Sequence, residues 1–344
     1  MSVRFASPQE ISNWNEMLIA NPDNGNVFQS YEFAMQKETG GYKAHFVIVN
    51  EIAITILEKS VPTFGKLWYL PKGPGVNTVT DLFYIIDELK PFAKKRGVFA
   101  IRTEPELQRD NQIELKKHGM LPAKAIIPNP STITLDISED LDTVMANLNQ
   151  KGRYAIRRAE RDGVTVELVD SNDKNCKIMY DLLAETAKGQ FGIRSYEYFK
   201  TFWQRFETAG LGQLFFAYFE GQIVAGAYAL TFGEKSTYKD GASIRQRTAY
   251  GASHLLQWHV IKWAKSRGVK IHDFCGSPPS DEINNPEHKH YGVGLFKSSF
   301  NKTVTDYVGC YDAVISPKKY KLWIKFVEKV MHRLHYYKNH DSYY

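Results

Sequence analysis

The segment Gly292-Val-Gly-Leu-Phe-Lys-Ser-Ser-Phe300 places Lys297 between two phenylalanines, after a Gly-rich stretch. A lysine lodged among aromatic rings can act as a fixed cation beside developing negative charge. The plainer reading is a surface lysine whose stem lies on apolar surface. A second segment, Lys151 to Arg161 (KGRYAIRRAER), carries five cations and one acid. It offers a surface for RNA phosphates or a diphosphate. The adjacent Arg157 and Arg158 cannot point the same way on a helix, so part of this charge is simply solvated. In a third segment, Lys318 to Lys338, seven Lys and Arg stand against the lone Glu328, with Trp323, Phe326, Val327, Val330 and Leu334 at helical spacing. Such a basic amphipathic helix can lie on an anionic membrane. The preceding TVTDYVGCYDAVI, read as one strand, argues instead that the apolar face closes onto the fold.

Other candidates are weaker. Glu287-His288-Lys289-His290 could ligate a metal, but beside Pro286 it reads as a solvated loop. Cys275, between a strand and Gly276, reads as a small buried thiol. There is no Gly-rich phosphate loop ending in GK[ST], no GxSxG and no HExxH.

The elements that must position these residues alternate between helix and strand. Ser7-Pro8-Gln9-Glu10 forms a helix start with a cap, a Pro and a returning Glu. A short helix from Tyr31 stops at Gly40-Gly41. Strands are expected at 45–50, 52–57, 66–71 and 98–105, with a helix over 80–96. Beyond Ser138 come helices from 138 and over 149–162, a strand at 164–169, helices over 173–187 and 195–209, three strands between 214 and 241, a helix over 251–267 and a strand at 269–276.

One heptapeptide recurs. Phe92-Ala-Lys-Lys-Arg-Gly-Val98 and Trp263-Ala-Lys-Ser-Arg-Gly-Val269 agree at five of seven positions, at an offset of 171 residues. Each sits where a long helix enters a strand. Internal duplication follows, giving two α/β domains, in agreement with about two domains for a chain of 344 residues. Composition is that of a globular chain, with 43% hydrophobic residues, 24% charged residues and a net charge of +6. Fibrous and disordered classes are excluded. No run approaches a membrane span, and MSVRFASPQEISNW lacks the apolar core of a secretory signal. Three cysteines without a CxxC fit a reducing, cytoplasmic setting.

In order and spacing, several segments together resemble the Fem-type (FemABX) aminoacyltransferases. The most specific are KGRYAIRRAERDGV (151–164), IRSYEYF (193–199), HDFCG (272–276) and GVGLFKSSF (292–300); FQSYEFAMQK (28–37), LPKGPG (70–75) and IRTEPE (101–106) support them. The resemblance implies an α/β (α+β) fold of two tandem acetyltransferase-like domains, 1–132 with a returning 313–344, and 133–312. Without the coiled-coil arm of larger members, the chain is most similar to compact ones. The family moves an aminoacyl group from aminoacyl-tRNA to the stem peptide of a peptidoglycan precursor. Compact members use soluble UDP-MurNAc-pentapeptide; others use lipid II.

By the same resemblance, Lys37 and Arg194 contact the precursor's diphosphate, one from each half, with Tyr198 nearby. Lys297 stabilises the tetrahedral transition state beside Phe296, and Glu104 falls where compact members carry an acid suggested as a base. Phe99 and Asp240 stand where compact members bind the precursor through aromatic hydroxyls. Phe99 lacks the hydroxyl, and Asp240 sets an acid near an anionic ligand. The implied reaction is aminolysis of an activated ester, with no cofactor, no metal and a monomeric enzyme, cytoplasmic and with a contact at the inner membrane face. Two other functions compete. One is an acyl-CoA-dependent N-acetyltransferase, to which Arg247-Thr-Ala-Tyr-Gly-Ala252 offers an imperfect phosphate turn. The other is a non-catalytic RNA- or membrane-binding module resting on the two basic helices.

Overall fold

The computed structural model describes residues 3–127, 130–188, 192–244, 249–339 and 343–344. In chain order it begins with β1 (Val3–Phe5), α1 (Pro8–Ser12), α2 (Trp14–Ile19), α3 (Tyr31–Thr39), β2 (Lys43–Val49), β3 (Ile52–Val61), β4 (Gly65–Leu70), α4 (Val79–Lys94), β5 (Val98–Thr103), α5 (Gln112–Lys117) and β6 (Leu121–Pro122). Next come β7 (Ser131–Asp136), α6 (Leu141–Asn147), α7 (Gln150–Arg161), β8 (Thr165–Val169), α8 (Asp173–Ala187), α9 (Tyr196–Thr208), β9 (Gly212–Phe219), β10 (Gln222–Phe232), β11 (Lys235–Ser243), α10 (Ala252–Ser266), β12 (Ile271–Asp273), α11 (Tyr291–Ser298) and β13 (Val304–Asp306). The chain ends in β14 (Tyr311–Val314), α12 (Pro317–Leu322), a π-helical segment Trp323–Val327 and α13 (Glu328–Asn339).

Two compact units result: Met1–Pro130 with Asp306–Tyr344, and Ser131–Thr305. Each is built on a seven-stranded sheet. The first runs β1-β2-β3-β4-β5-β14-β6 and the second β8-β9-β10-β11-β12-β7-β13. The two sheets agree position by position. The first four strands of each pair antiparallel. The fourth and fifth run parallel, joined by a long helix, α4 or α10. The sixth is antiparallel to the fifth. These are two tandem acetyltransferase-like units. The sixth strand of each is supplied by chain that in sequence adjoins the other: β14 follows the second unit, and β7 follows the first.

The repeated heptapeptide sits at the same joint in both sheets, where α4 or α10 ends before the fifth strand. Its glycine, Gly97 or Gly268, has φ of 78° or 80°, the left-handed helix stop that suits glycine. Its arginine lies over its own aromatic residue, Arg96 on Phe92 at 3.5 Å and Arg267 on Trp263 at 5.5 Å. Under each sheet lies a separate apolar core. One gathers Trp68, Leu82, Ile86 and Ile101; the other gathers Ile133, Phe215, Leu255 and Ile261.

Some boundaries move. The units divide at 130/131 and 305/306 rather than at 132/133 and 312/313. Ser131 already accepts from Ser277 N in the second sheet. Val308 N donates to Leu107 O in the first unit. The stretch read as one strand before the tail is therefore two strands, β13 and β14, in different sheets. The helix expected from Ser138 starts at Leu141, because Asp140 is its cap, accepting from Thr143 N at 2.9 Å. The tail closes onto the first unit through Tyr320 and Trp323, which pack with Phe99 and Leu67. Phe326, Val330 and Leu334, expected on that closing face, are exposed instead.

Candidate active site

Lys297 lies in the last turn of α11, and only 7% of it is exposed. Gly294 occupies the same helix face one turn earlier, and both are buried. A Cβ at Gly294 would sit 2.9 Å from Ile283 Cδ1 and Pro278 Cδ, so glycine lets this face approach the loop after β12. Against that loop the Lys297 ammonium donates to the Cys275 carbonyl, and to the Gly276 carbonyl at 2.6 Å. Both loop residues are left-handed, φ 58° at Cys275 and 50° at Gly276. A non-glycine residue in this region is uncommon. Asp273 helps hold the turn: its carboxylate accepts from Thr132 Oγ1 at 2.5 Å and from Cys275 N at 2.7 Å. Burial lowers the Lys297 pKa from the usual lysine value, with Cys275 and Asp273 acting in the opposite sense. The surface-lysine reading is thus overturned. The arrangement is a fixed cation in a low-dielectric setting, suited to an oxyanion.

Phe296 does not accompany the ammonium. Neighbours on a helix point about 100° apart, and Phe296 packs toward the core against His254 at 4.9 Å and Phe300 at 5.6 Å. The basic helix α7 is fastened to the end of α11. The Asn149 side-chain amide donates to the Ser298 carbonyl, and a Cβ on Gly152 would collide with the Ser299 carbonyl. The KGRY and FKSSF segments therefore support one another structurally. Within α7, Arg153 caps α6 by donating to Ala146 O at 2.7 Å. Lys151 and Arg157 are exposed.

A second group on this unit surrounds Tyr198. The Arg194 guanidinium lies 4.9 Å from the Tyr198 ring centre, and Tyr180 Oη donates to the Arg194 carbonyl at 3.2 Å. Asp240 is not a bare acid: it accepts from Lys239 Nζ at 2.9 Å and from Trp203 Nε1 at 3.0 Å. This pairing removes the repulsion expected toward an anionic ligand. Burial pushes the Lys239 pKa down, but Asp240, aided by Tyr198, holds it above the usual lysine value.

In the first unit, Lys37 lies in the last turn of α3, with its ammonium 5.5 Å from the rings of both Phe33 and Tyr42. Lys59 lies over the same Tyr42 ring at 4.2 Å and donates to Gly40 O at 3.0 Å. Glu104 is buried, accepting from Tyr69 Oη at 2.6 Å and from the backbone N–H groups of Ile126 and Ile127 at 2.6 and 3.3 Å. A carboxylate so occupied is a structural anchor rather than an available base. Phe99 is 0% exposed, with Phe64 at 5.2 Å and Trp323 at 5.3 Å. It is a core residue and offers no surface to a precursor.

Sequence reasoning missed Asp273, Thr132, Lys239 and Lys59. HDFCG carried a signal for the first. The Lys-Asp pair in the strand STYKDG was the signal for Lys239. Arg247 lies outside the described residues. Among the described residues no cluster of His, Cys, Asp and Glu could hold a metal ion.

A family model described as the FemAB family matches residues 11–220 and 212–329. A lipid II:glycine glycyltransferase of Staphylococcus epidermidis is 21% identical, aligned over 93% of this chain and 94% of its own length. One from Staphylococcus aureus (strain MRSA252) is 23% identical over 92% and 93%. Among solved structures, FemX superposes with a TM-score of 0.79 at 20% identity, covering 94% of this chain and 99% of FemX. The structure of L-PGS from Bacillus licheniformis reaches 0.55 at 13% identity. These two likenesses concern the fold. With nearly its whole length matched by the family model, the chain belongs to the FemAB family.

Proposed function

We propose that the protein transfers an amino acid from aminoacyl-tRNA to the side amine of the stem peptide of a peptidoglycan precursor, starting an interpeptide bridge. The observation that carries this reading is the buried Lys297 ammonium, seated on the Cys275 and Gly276 carbonyls. The acceptor amine attacks the ester carbonyl of the aminoacyl-tRNA. Charge develops on the carbonyl oxygen, where Lys297 stabilises it. The C–O bond to the terminal ribose then breaks, the amide forms, and the amine's proton passes to the leaving hydroxyl. The ester is already activated, so the enzyme's work is to position the two partners and hold the oxyanion.

Lys37 and Arg194 serve as phosphate contacts for the precursor, Arg194 with Tyr198 beneath it. The exposed Lys151 and Arg157 of α7 supply cations for tRNA. The acceptor is lipid II, the substrate in the names of the glycyltransferase relatives, or its soluble counterpart UDP-MurNAc-pentapeptide. The protein works as a monomer in the cytoplasm, at the inner membrane face when lipid II is used. No described helix is long and apolar enough to cross a membrane.

The deciding experiment mixes the protein with a pool of charged tRNAs and either acceptor, then reads the mass gained. A gain of one aminoacyl mass names the amino acid, and the molecule that gains it names the acceptor. No gain on either acceptor overturns the reading.

A further inference from the structure

The tail helix presents three rows, each at a spacing of four residues. Trp323, Val327 and Met331 face the fold and belong to the apolar cluster around Phe99. One residue earlier runs Leu322, Phe326, Val330 and Leu334, each between 50% and 59% exposed. One residue earlier again runs Lys321, Lys325, Lys329 and Arg333, all exposed. Four residues overshoot an α-turn and fall short of a π-turn. The π-helical segment Trp323–Val327 therefore offsets the drift, and the rows stay roughly parallel to the axis. Glu328, the lone acid of the segment, faces inward, where Arg102 Nη1 and Tyr344 Oη donate to it at 3.3 and 2.6 Å.

The helix is thus fastened by one row and turns outward an apolar ridge bordered by cations. Long lysine stems can lie along such a ridge with their charges at its edge.

We propose that this outer face, Leu322-Phe326-Val330-Leu334 with its basic border, docks the protein on an anionic lipid surface. A convex apolar ridge enters the boundary between headgroups and acyl chains, and the row of cations beside it meets the anionic headgroups. Charge complementarity selects lipid over a second copy of this chain, because two such faces would oppose one basic row to another. The inference rests on the placement at the membrane face proposed above, and its test needs neither acceptor.

The test is co-sedimentation of the full chain with vesicles of phosphatidylcholine containing about 30% phosphatidylglycerol, or of phosphatidylcholine alone. Neither tRNA nor precursor is present, so failure here bears on the helix face and leaves the transfer reaction to its own assay. Binding is expected on the anionic vesicles, weakening with salt and much lower on the neutral ones. Phe326→Ser with Leu334→Ser should lower the partition coefficient about tenfold or more. Lys325→Gln with Lys329→Gln should lower it only on anionic vesicles. All these side chains are exposed, so melting temperatures should not move, and the lysine pair gives a second reading should the serine pair fail to fold. Absence of wild-type binding to anionic vesicles, or binding by both variants equal to that of the wild type, overturns the proposal. So does a wild-type dimer in light scattering that Phe326→Ser with Leu334→Ser turns into monomer, which would make a second copy the occupant.

Discussion

The Lys297 ammonium donates to the Gly276 carbonyl at 2.6 Å, so a cation nearly withdrawn from water rests on backbone dipoles. Such a cation has its charge set in advance, with little solvent to reorganise as an oxyanion forms. Lys297→Met should therefore lower kcat by about 10²–10³-fold while the precursor's dissociation constant stays near that of the wild type. Single-turnover transfer and calorimetric binding of the precursor read the two quantities separately. Unchanged turnover would remove Lys297 from the chemistry.

The Arg194 guanidinium lies 4.9 Å from the Tyr198 ring centre, a cation–π contact that keeps the charge beside the ring. Arg194→Ala should weaken precursor binding by more than it lowers turnover at saturation, about tenfold or more for a charge-assisted contact. Titration of precursor at fixed aminoacyl-tRNA measures this as a rise in KM. An affinity equal to that of the wild type would exclude Arg194 from the phosphate site.

Gly152 is where α7 passes the Ser299 carbonyl with no room for a Cβ. Gly152→Ala should push α7 from the end of α11 and cost roughly 1–3 kcal/mol, as overpacking does. Because α11 carries Lys297, turnover should fall with it. Urea unfolding together with kcat checks both. A variant as stable and as active as the wild type would show that the two helices are not coupled.

Arg102 and Asp312 form a bidentate pair at 2.8 and 2.9 Å between β5 and β14, both side chains almost wholly buried. This pair fastens the returning strand into the first sheet. Asp312→Ala leaves the guanidinium without its main buried partner and should cost about 3–5 kcal/mol in urea unfolding. A loss below 1 kcal/mol would mean that Glu328 and water replace it.

His272 is enclosed between Ser236 Oγ at 2.8 Å and Gln257 Oε1 at 3.1 Å. Burial, with a smaller effect from the Lys297 charge, lowers its pKa from 6.5 to about 3. The unfolded chain takes up this proton below pH 6.5 and the folded chain does not. Stability from this residue is therefore complete above pH 6.5 and falls as pH drops toward 3, by about 1.4 kcal/mol per pH unit. Urea midpoints at pH 7 and 5 should separate less in His272→Gln than in the wild type. Equal separation would reject the assignment.

Much of this was legible in the chain. The heptapeptide at Phe92 and Trp263 marked two equivalent joints, because a helix stop before a strand needs a left-handed glycine and tolerates few alternatives. Local signals such as the Ser7 cap and the spacing in α4 and α8 placed most elements within a few residues. The residues 292–300 stood out by type alone.

The two α/β units, the helix–strand joints and the family were readable from the chain, because these rest on short-range patterns and on ordered motifs. Which charges are buried depends on the folded chain. Lys297 became a buried cation because β12 ends in a left-handed turn that aims two carbonyls at it. Phe99 became core because Trp323, more than 200 residues later, covers it. Asp240 lost its repulsion to Lys239 beside it, and Glu104 lost its freedom to Tyr69 and two backbone amides. Burial and pairing of this kind depend on contacts between distant segments, which no local pattern records.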